Sequence, residues 1–334
     1  MKHRQFVLAI LMLGLTWSAF GTSSADAQTQ CDPAKVITSE TCARCHTNEF
    51  QVWKQTPHHK TFAELSRRPE AKAICKKMGL RSVKRSEICR DCHFTSQEVN
   101  GKVRPVSGIS CEPCHGAAKD WVNVHNDFGG PTVSKESETD AHRIQRFADS
   151  LQNGMCNTRN LYNIARNCFG CHTVPNEELV NRGGHNTGSL DFDLVAWSQG
   201  QVRHNFLRTG GLSNATSKIE RLRVMHVVGL IADLEFSTRA TGRATSKSDY
   251  GITVANRAAR VATRLYELQQ KINDEHVQSA LQAFAAADLK INNPLQLEQI
   301  ADEIQAAGQR FAESADGERL AAVDPLLPDP SQYK

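Results

Sequence analysis

Residues 108–125 read GISCEPCHGAAKDWVNVH, with Cys111, Cys114 and His115 spaced as Cys-x-x-Cys-His and a second histidine, His125, ten residues beyond the first. The same spacing recurs at Cys42/Cys45/His46, Cys89/Cys92/His93 and Cys168/Cys171/His172. At this chain's own cysteine and histidine frequencies, about 0.01 such motifs would arise by chance, so four copies are not accidental. The spacing puts two thiols where they add to the two vinyl groups of one porphyrin and turns the adjacent imidazole onto its iron. A zinc site or a thioredoxin-like thiol pair does not require histidine directly after the second cysteine four times over. The sequence therefore predicts four covalently attached haem c groups. Cys42, Cys45, Cys89, Cys92, Cys111, Cys114, Cys168 and Cys171 are the attachment points, and His46, His93, His115 and His172 are the proximal iron ligands.

Each iron has a second axial position, whose occupant decides whether the haem passes electrons or binds a substrate. Eight histidines after the N-terminal leader lie outside the motifs. His58 and His125 lead as distal ligands, followed by His185, set among glycines, and His204, in a stretch that could form a short helix. His59 simply follows His58. His142 lies in a charged, solvated stretch, His226 falls on an apolar helical face with Leu222 and Ile219, and His276 neighbours Asp274 and Glu275. Met155 is the methionine best placed to compete, since methionine ligation raises the potential.

The chain opens with Lys2 and Arg4, an apolar run Phe6–Leu15, and small residues ending Ala25-Asp26-Ala27, the pattern of a cleaved secretory signal over residues 1–27. The expected location is periplasmic, with no integral membrane span after the signal is removed. Net charge is +4 over 334 residues and mixed in sign along the length, with no basic block of the kind that binds nucleic acid. Haem propionates would shift that balance towards acid. Three of the eleven cysteines, Cys31, Cys75 and Cys156, lie outside the motifs, so at most one intramolecular bridge forms. Cys31 with Cys75 is the pair to test; for Cys75 and Cys156, burial as small apolar residues is the simpler reading.

A helical break is expected at Thr56-Pro57, beside His58 and His59. Lys76, Lys77, Arg81, Lys84 and Arg85 read as a solvated basic loop able to dock an acidic partner. Residues 175–212 read as a loop-rich segment that supplies distal ligands, with a short helix through Leu194–Phe206. Beyond 213 the apolar spacing turns helical: Ala258, Val261, Leu265 and Leu268, then Val277, Ala280, Leu281 and Phe284, then Leu297, Ile300, Ile304, Ala307 and Phe311. Asn293-Pro294 reads as the N-cap and first position of the last helix. About four packed helices are expected over 213–316, then a Pro-rich tail over 317–334. No strand-period segment is apparent.

Residues 41–65, TCARCHTNEFQVWKQTPHHKTFAEL, closely resemble the start of the tetrahaem cytochrome c-554 family, in which a haem motif is followed by a tryptophan and then a distal histidine, here His58. GISCEPCHGAAKDWVNVH resembles that family's third motif, with Gly116 and His125 at the matching places. The resemblance covers roughly residues 40–173. It implies a mainly α fold, a multihaem cytochrome c domain over 28–174 with little regular strand and haems stacked in pairs, here followed by a C-terminal helical bundle. It also implies a periplasmic electron carrier whose redox partners include a hydroxylamine-oxidoreductase-like multihaem enzyme. Family members tend to leave the second haem five-coordinate, here the one on His93. The family's distal histidine before the fourth motif is missing, because Asn163 stands there; His185 or His204 is the expected replacement. The competing class is a haem enzyme acting on a small nitrogen or sulfur compound at an open iron, with spare histidines or Tyr162 supplying protons. A third reading is an electron-transfer subunit of a larger multihaem complex.

Overall fold

The computed structural model describes residues 31–334, so the signal expected over 1–27 lies outside the described residues. The N-terminal half is a string of short helices: α1 Ser39–Ala43, α2 Thr47–Trp53, α3 Pro57–Glu64, α4 Pro69–Met78, α5 Glu87–His93, α6 Cys111–His115, α7 Asp140–Gln152 and α8 Leu161–His172. Then come α9 Glu177–Asn181, α10 Leu194–Ser198 and four longer helices, α11 Ile219–Arg243, α12 Asp249–Ile272, α13 Glu275–Ala285 and α14 Pro294–Ser314. The mainly α class holds, and the last three helices fall where the 3.6-residue spacing puts them. Ala258, Val261, Leu265 and Leu268 form the buried face of α12, and Leu297, Ile300, Ile304, Ala307 and Phe311 that of α14.

The expectation of no strand needs correction. Residues Thr95–Val99 (β1) and Lys102–Ser107 (β2) pair as an antiparallel hairpin. Asn100 and Gly101 both have positive φ, 53° and 69°, as a tight two-residue hairpin turn demands. Asn-Gly was the legible signal. The flanking residues lack clean alternation because much of the hairpin is solvent-exposed.

Helix α11 is buried almost all round from Val224 to Gly242, as befits a helix enclosed by neighbours. It packs against α12, α14, α8 and the 3-10 turns of Gly317–Leu326. One apolar core therefore runs from Leu161, Tyr162, Ala165 and Phe169 of the fourth-motif helix into the bundle, and the two regions share their interior. The charges within it are paired. Glu235 accepts from Tyr162 Oη at 2.8 Å and pairs with Arg166 and Arg239, while Asp233 pairs with Arg257 at 2.6 Å.

The Pro-rich tail is docked. Its last residue, Lys334, pairs its backbone with Ala196 and Gln201. That contact also ends α10 early, correcting the expected helix through Phe206: a Cβ at Gly200 would lie 1.8 Å from the Lys334 carbonyl oxygen. His204 consequently sits in a loop. At the seam between fourth motif and bundle, a Cβ on Gly308 would come within 2.1 Å of the Tyr162 ring. Gly308→Ala should therefore cost about 1–3 kcal/mol of stability by overpacking, read as a lowered denaturant midpoint with unchanged slope.

Candidate haem-ligand site

All four motifs lie on or beside a helical turn. The second occupies the C-terminal end of α5, the third is α6 itself, the fourth ends α8, and the first runs from α1 to His46, the N-cap of α2. Helical spacing of three and four residues brings both cysteines and the histidine to one face, which is what a macrocycle bonded at three points needs.

Across from each motif imidazole stands a second one from a distant part of the chain. Ring centroids are 6.3 Å apart for His46 and His125, 6.4 Å for His172 and His58, 6.2 Å for His93 and His185, and 6.1 Å for His115 and His204. These separations are too long for ring contact. An imidazole nitrogen ligates a first-row metal at about 2.0–2.1 Å and lies about 1.1 Å from its ring centroid, so two imidazoles trans on one metal have centroids about 6.2 Å apart. The interplanar angles range from 23° to 86°, as expected when rings are free to rotate about a shared nitrogen-to-nitrogen axis. Among the described residues no three of His, Cys, Asp and Glu converge as a metal site, so the chain offers imidazole pairs, suited to a metal whose other ligands come from a macrocycle. The residues fit haem.

In four of these rings Nδ1 is occupied, which leaves Nε2 as the ligating nitrogen. His125 Nδ1 lies 2.6 Å from Val122 O, His204 Nδ1 2.6 Å from Val202 O, His185 Nδ1 2.9 Å from Asn186 O, and His115 Nδ1 3.3 Å from Cys156 O. Burial pushes His58 and His125 below the usual histidine range, and His93, His115 and His172 down to about 4, with the facing histidine adding to the effect at all three. Those rings are neutral at pH 7 with a lone pair to give. Burial also pushes the thiols of Cys89 and Cys114 up to about 11. A cavity of about 900 Å³ joins His93, His185, His172 and His58 with the second and fourth cysteine pairs, at the upper end of the ~300–1,000 Å³ typical of ligand pockets.

Local packing fixes these rings. Thr56 caps α3 by accepting from His59 N–H, and Pro57 takes the first helical position, so the expected break is the corner that presents His58. Trp53 Nε1 donates to Ile109 O at 2.8 Å. A Cβ on Gly108 would lie 2.0 Å from His58 O, and one on Gly116 2.1 Å from Gly154 O, so both glycines flanking the third motif are required by close backbone approach. Buried Glu112, inside that motif, accepts from Ile37, Thr38 and Ala118 N–H at 2.9–3.0 Å and ties three segments together. Its role was invisible in sequence, since the x positions of the motif are unconstrained.

His185 or His204 is the ring expected at the fourth motif; they face the second and third instead, and the fourth receives His58. His93, expected to be open, is faced by His185. The remaining histidines face no motif ring: His59 packs edge-on to Trp53, His142 pairs with Glu138, His226 is buried near Asp193, and His276 opens α13. Cys75 is buried with Ala71, Val83, Cys89 and Phe94, whereas Cys31 lies by Glu112 and Cys114, so the two are not bridged.

Residues 41–116 match the family model for cytochrome c554 and c-prime. This part of the chain is therefore similar to c-type cytochromes, and three of the chain's four Cys-x-x-Cys-His motifs fall inside the match. Cytochrome c-554 of Nitrosomonas europaea is 28% identical over 96 residues, covering 26% of this chain and 41% of that protein. The chain thus spans under half the length of that curated relative, and the C-terminal bundle is outside the match. No solved structure matches. Among the described residues, no helix is long and apolar enough to cross a membrane.

His125 depends on a charged brace. Arg146 Nη1 donates to His125 O at 2.6 Å, and Glu138 receives Arg146 at 2.7 and 2.6 Å. The Arg146 guanidinium holds the Glu138 carboxyl down at about 2. A depressed carboxyl stabilises the fold above its unfolded value of about 4.3 and loses that contribution as pH falls towards 2. Glu138→Gln should be less stable than wild type at pH 6, with the gap closing between about pH 5 and 2 in acid-denaturation curves; a gap independent of pH would contradict the pairing.

Proposed function

We propose that this protein is a periplasmic tetrahaem c-type cytochrome that carries electrons between redox partners through four bis-histidine haems. The observation that carries the reading is the set of four facing imidazole pairs at 6.1–6.4 Å. His46 with His125, His93 with His185, His115 with His204 and His172 with His58 would hold the irons, and the eight motif cysteines would anchor the macrocycles. Haem iron supplies one-electron chemistry when bound. The chain's own contribution is to hold each pair of imidazoles fixed in place, so that ligation need not change on reduction, and to cover the haems with apolar side chains.

Neighbouring thiols support an order. Cys42 hydrogen-bonds with Cys111, Cys92 with Cys171, and Cys114 is near enough to Cys168 and Cys171 to raise them. The electron route would then run first motif, third, fourth, second, rather than in chain order. The last haem in that series is ringed by basic residues of α4 and the following turn, Lys72, Lys76, Lys77, Arg81 and Arg85, all exposed. That suits docking of an acidic redox protein, such as a hydroxylamine-oxidoreductase-like enzyme. The presence of His185 opposite His93 weighs against an open iron, and so against the enzyme reading.

Paramagnetic resonance of the haem-loaded protein should give low-spin signals only, with a mass corresponding to four haems. Replacing His58, His125, His185 or His204 singly by Ala should turn one haem high-spin in each case. A high-spin haem in the unaltered protein, or an all-low-spin spectrum for these variants, would refute the ligation.

A further inference from the structure

The fully buried arginines of this fold are paired with carboxylates, whereas three less buried ones are not. Arg146 has Glu138, Arg257 has Asp233, and Arg239 has Glu235, Glu298 and Asp302; partly buried Arg166 also has Glu235. Arg203, Arg208 and Arg221 have no ion pair among the described residues. The run from Gly200 to Ile219 contains no Asp or Glu at all. Yet the Nε atoms of Arg203 and Arg221 are buried and have no hydrogen-bond partner. Leaving charged donors buried without a counter-ion is costly, so such a cluster calls for an anion.

Its position says which. Arg203 directly precedes His204, the ring facing His115, and is held through Nη1 to Gln199 O at 2.6 Å. Arg221, at the start of α11, donates through Nη2 to Thr158 O at 2.9 Å. Thr158 lies two residues beyond Cys156, whose N–H donates to His115 O at 2.7 Å. Burial lowers Arg208, and burial together with the neighbouring charge of Arg208 lowers Arg221 to about 10, so half-buried Arg221 and exposed Arg208 are neighbouring cations. A haem brings two propionate carboxylates on one edge, a pair of anions for a cluster of guanidinium forks.

We propose that Arg203, Arg208 and Arg221 form the anion cradle for the propionates of the haem carried by His115 and His204, and thereby raise its reduction potential. This rests on the ligation proposed above. The segment beyond the family match thereby gains a part in the haem chemistry, since α11 and the loop before it supply the counter-charge for an interior haem. Neutralising the propionates favours the added electron, because less negative charge surrounds the iron.

The test is a spectroelectrochemical titration of the full-length haem-loaded protein. Arg221→Gln and Arg208→Gln should each lower the reduction equilibrium of one haem about tenfold, ~59 mV for one electron. Arg221→Lys should recover most of the shift, because it restores charge without the fork, and exposed Arg310→Gln should leave all four midpoints in place. Combining Arg221→Gln with His204→Ala identifies the haem: the shifted midpoint must belong to the haem that turns high-spin. Unchanged midpoints in Arg221→Gln and Arg208→Gln, with four haems and low-spin spectra intact, would overturn the cradle and leave the ligation standing. If His204→Ala leaves every haem low-spin, the ligation reading fails instead. Should Arg221→Gln not fold, Arg208→Gln, at a more exposed residue, decides the matter alone.

Discussion

Each of the four motif imidazoles has a second imidazole held opposite it at 6.1–6.4 Å, and most of the N-terminal architecture follows from meeting that constraint four times. The facing rings come from a helix corner at His58, a braced turn at His125 and two loops at His185 and His204. None of these segments contains a helix longer than the eight residues of α3. Short helices joined by turns can bring distant residues to one point, where long helices would hold them apart. Much of the missing regular structure is offset by buried polar anchors, Glu112 and the Glu138 to Arg146 pair among them.

The bundle beyond residue 219 obeys a different rule. Its helices are stabilised by ordinary apolar burial around α11, the helix most fully enclosed. The two regions meet through α8, whose C-terminal end carries the fourth motif while Tyr162, Ala165 and Phe169 belong to the bundle core. His172 is therefore fixed by both halves at once: Phe192 stacks on it at 4.5 Å and Trp197 meets it edge-on at 5.1 Å. The seam is rigid where the fourth motif meets the longest helix.

Part of this was legible in sequence because it is local chemistry. Haem attachment is written in a five-residue spacing, the bundle in a 3.6-residue repeat, and the corner at His58 in Thr56-Pro57. His58, His125, His185 and His204 could be nominated from their neighbours: a family pattern for the first two, glycines and a short apolar stretch for the others. The hairpin was missed although Asn100-Gly101 announces it, because exposed strands carry no alternation. The extent of α10 was misjudged because Gly200 is set by the Lys334 carbonyl, over a hundred residues away.

The sequence by itself pointed to the cofactor and nominated the residues that would attach it, since a covalent bond needs only its own neighbours. Only the tertiary structure decided which histidine faces which. His58 stands opposite His172, and His185 opposite His93, across more than ninety residues, and no spacing rule reaches that far. The same holds for the arginines: Arg203, Arg208 and Arg221 are unremarkable cations in the sequence, and only the fold buries the Nε atoms of Arg203 and Arg221 without a hydrogen-bond partner. Pairing of distant groups depends on how helices pack, and packing is a property of the whole chain.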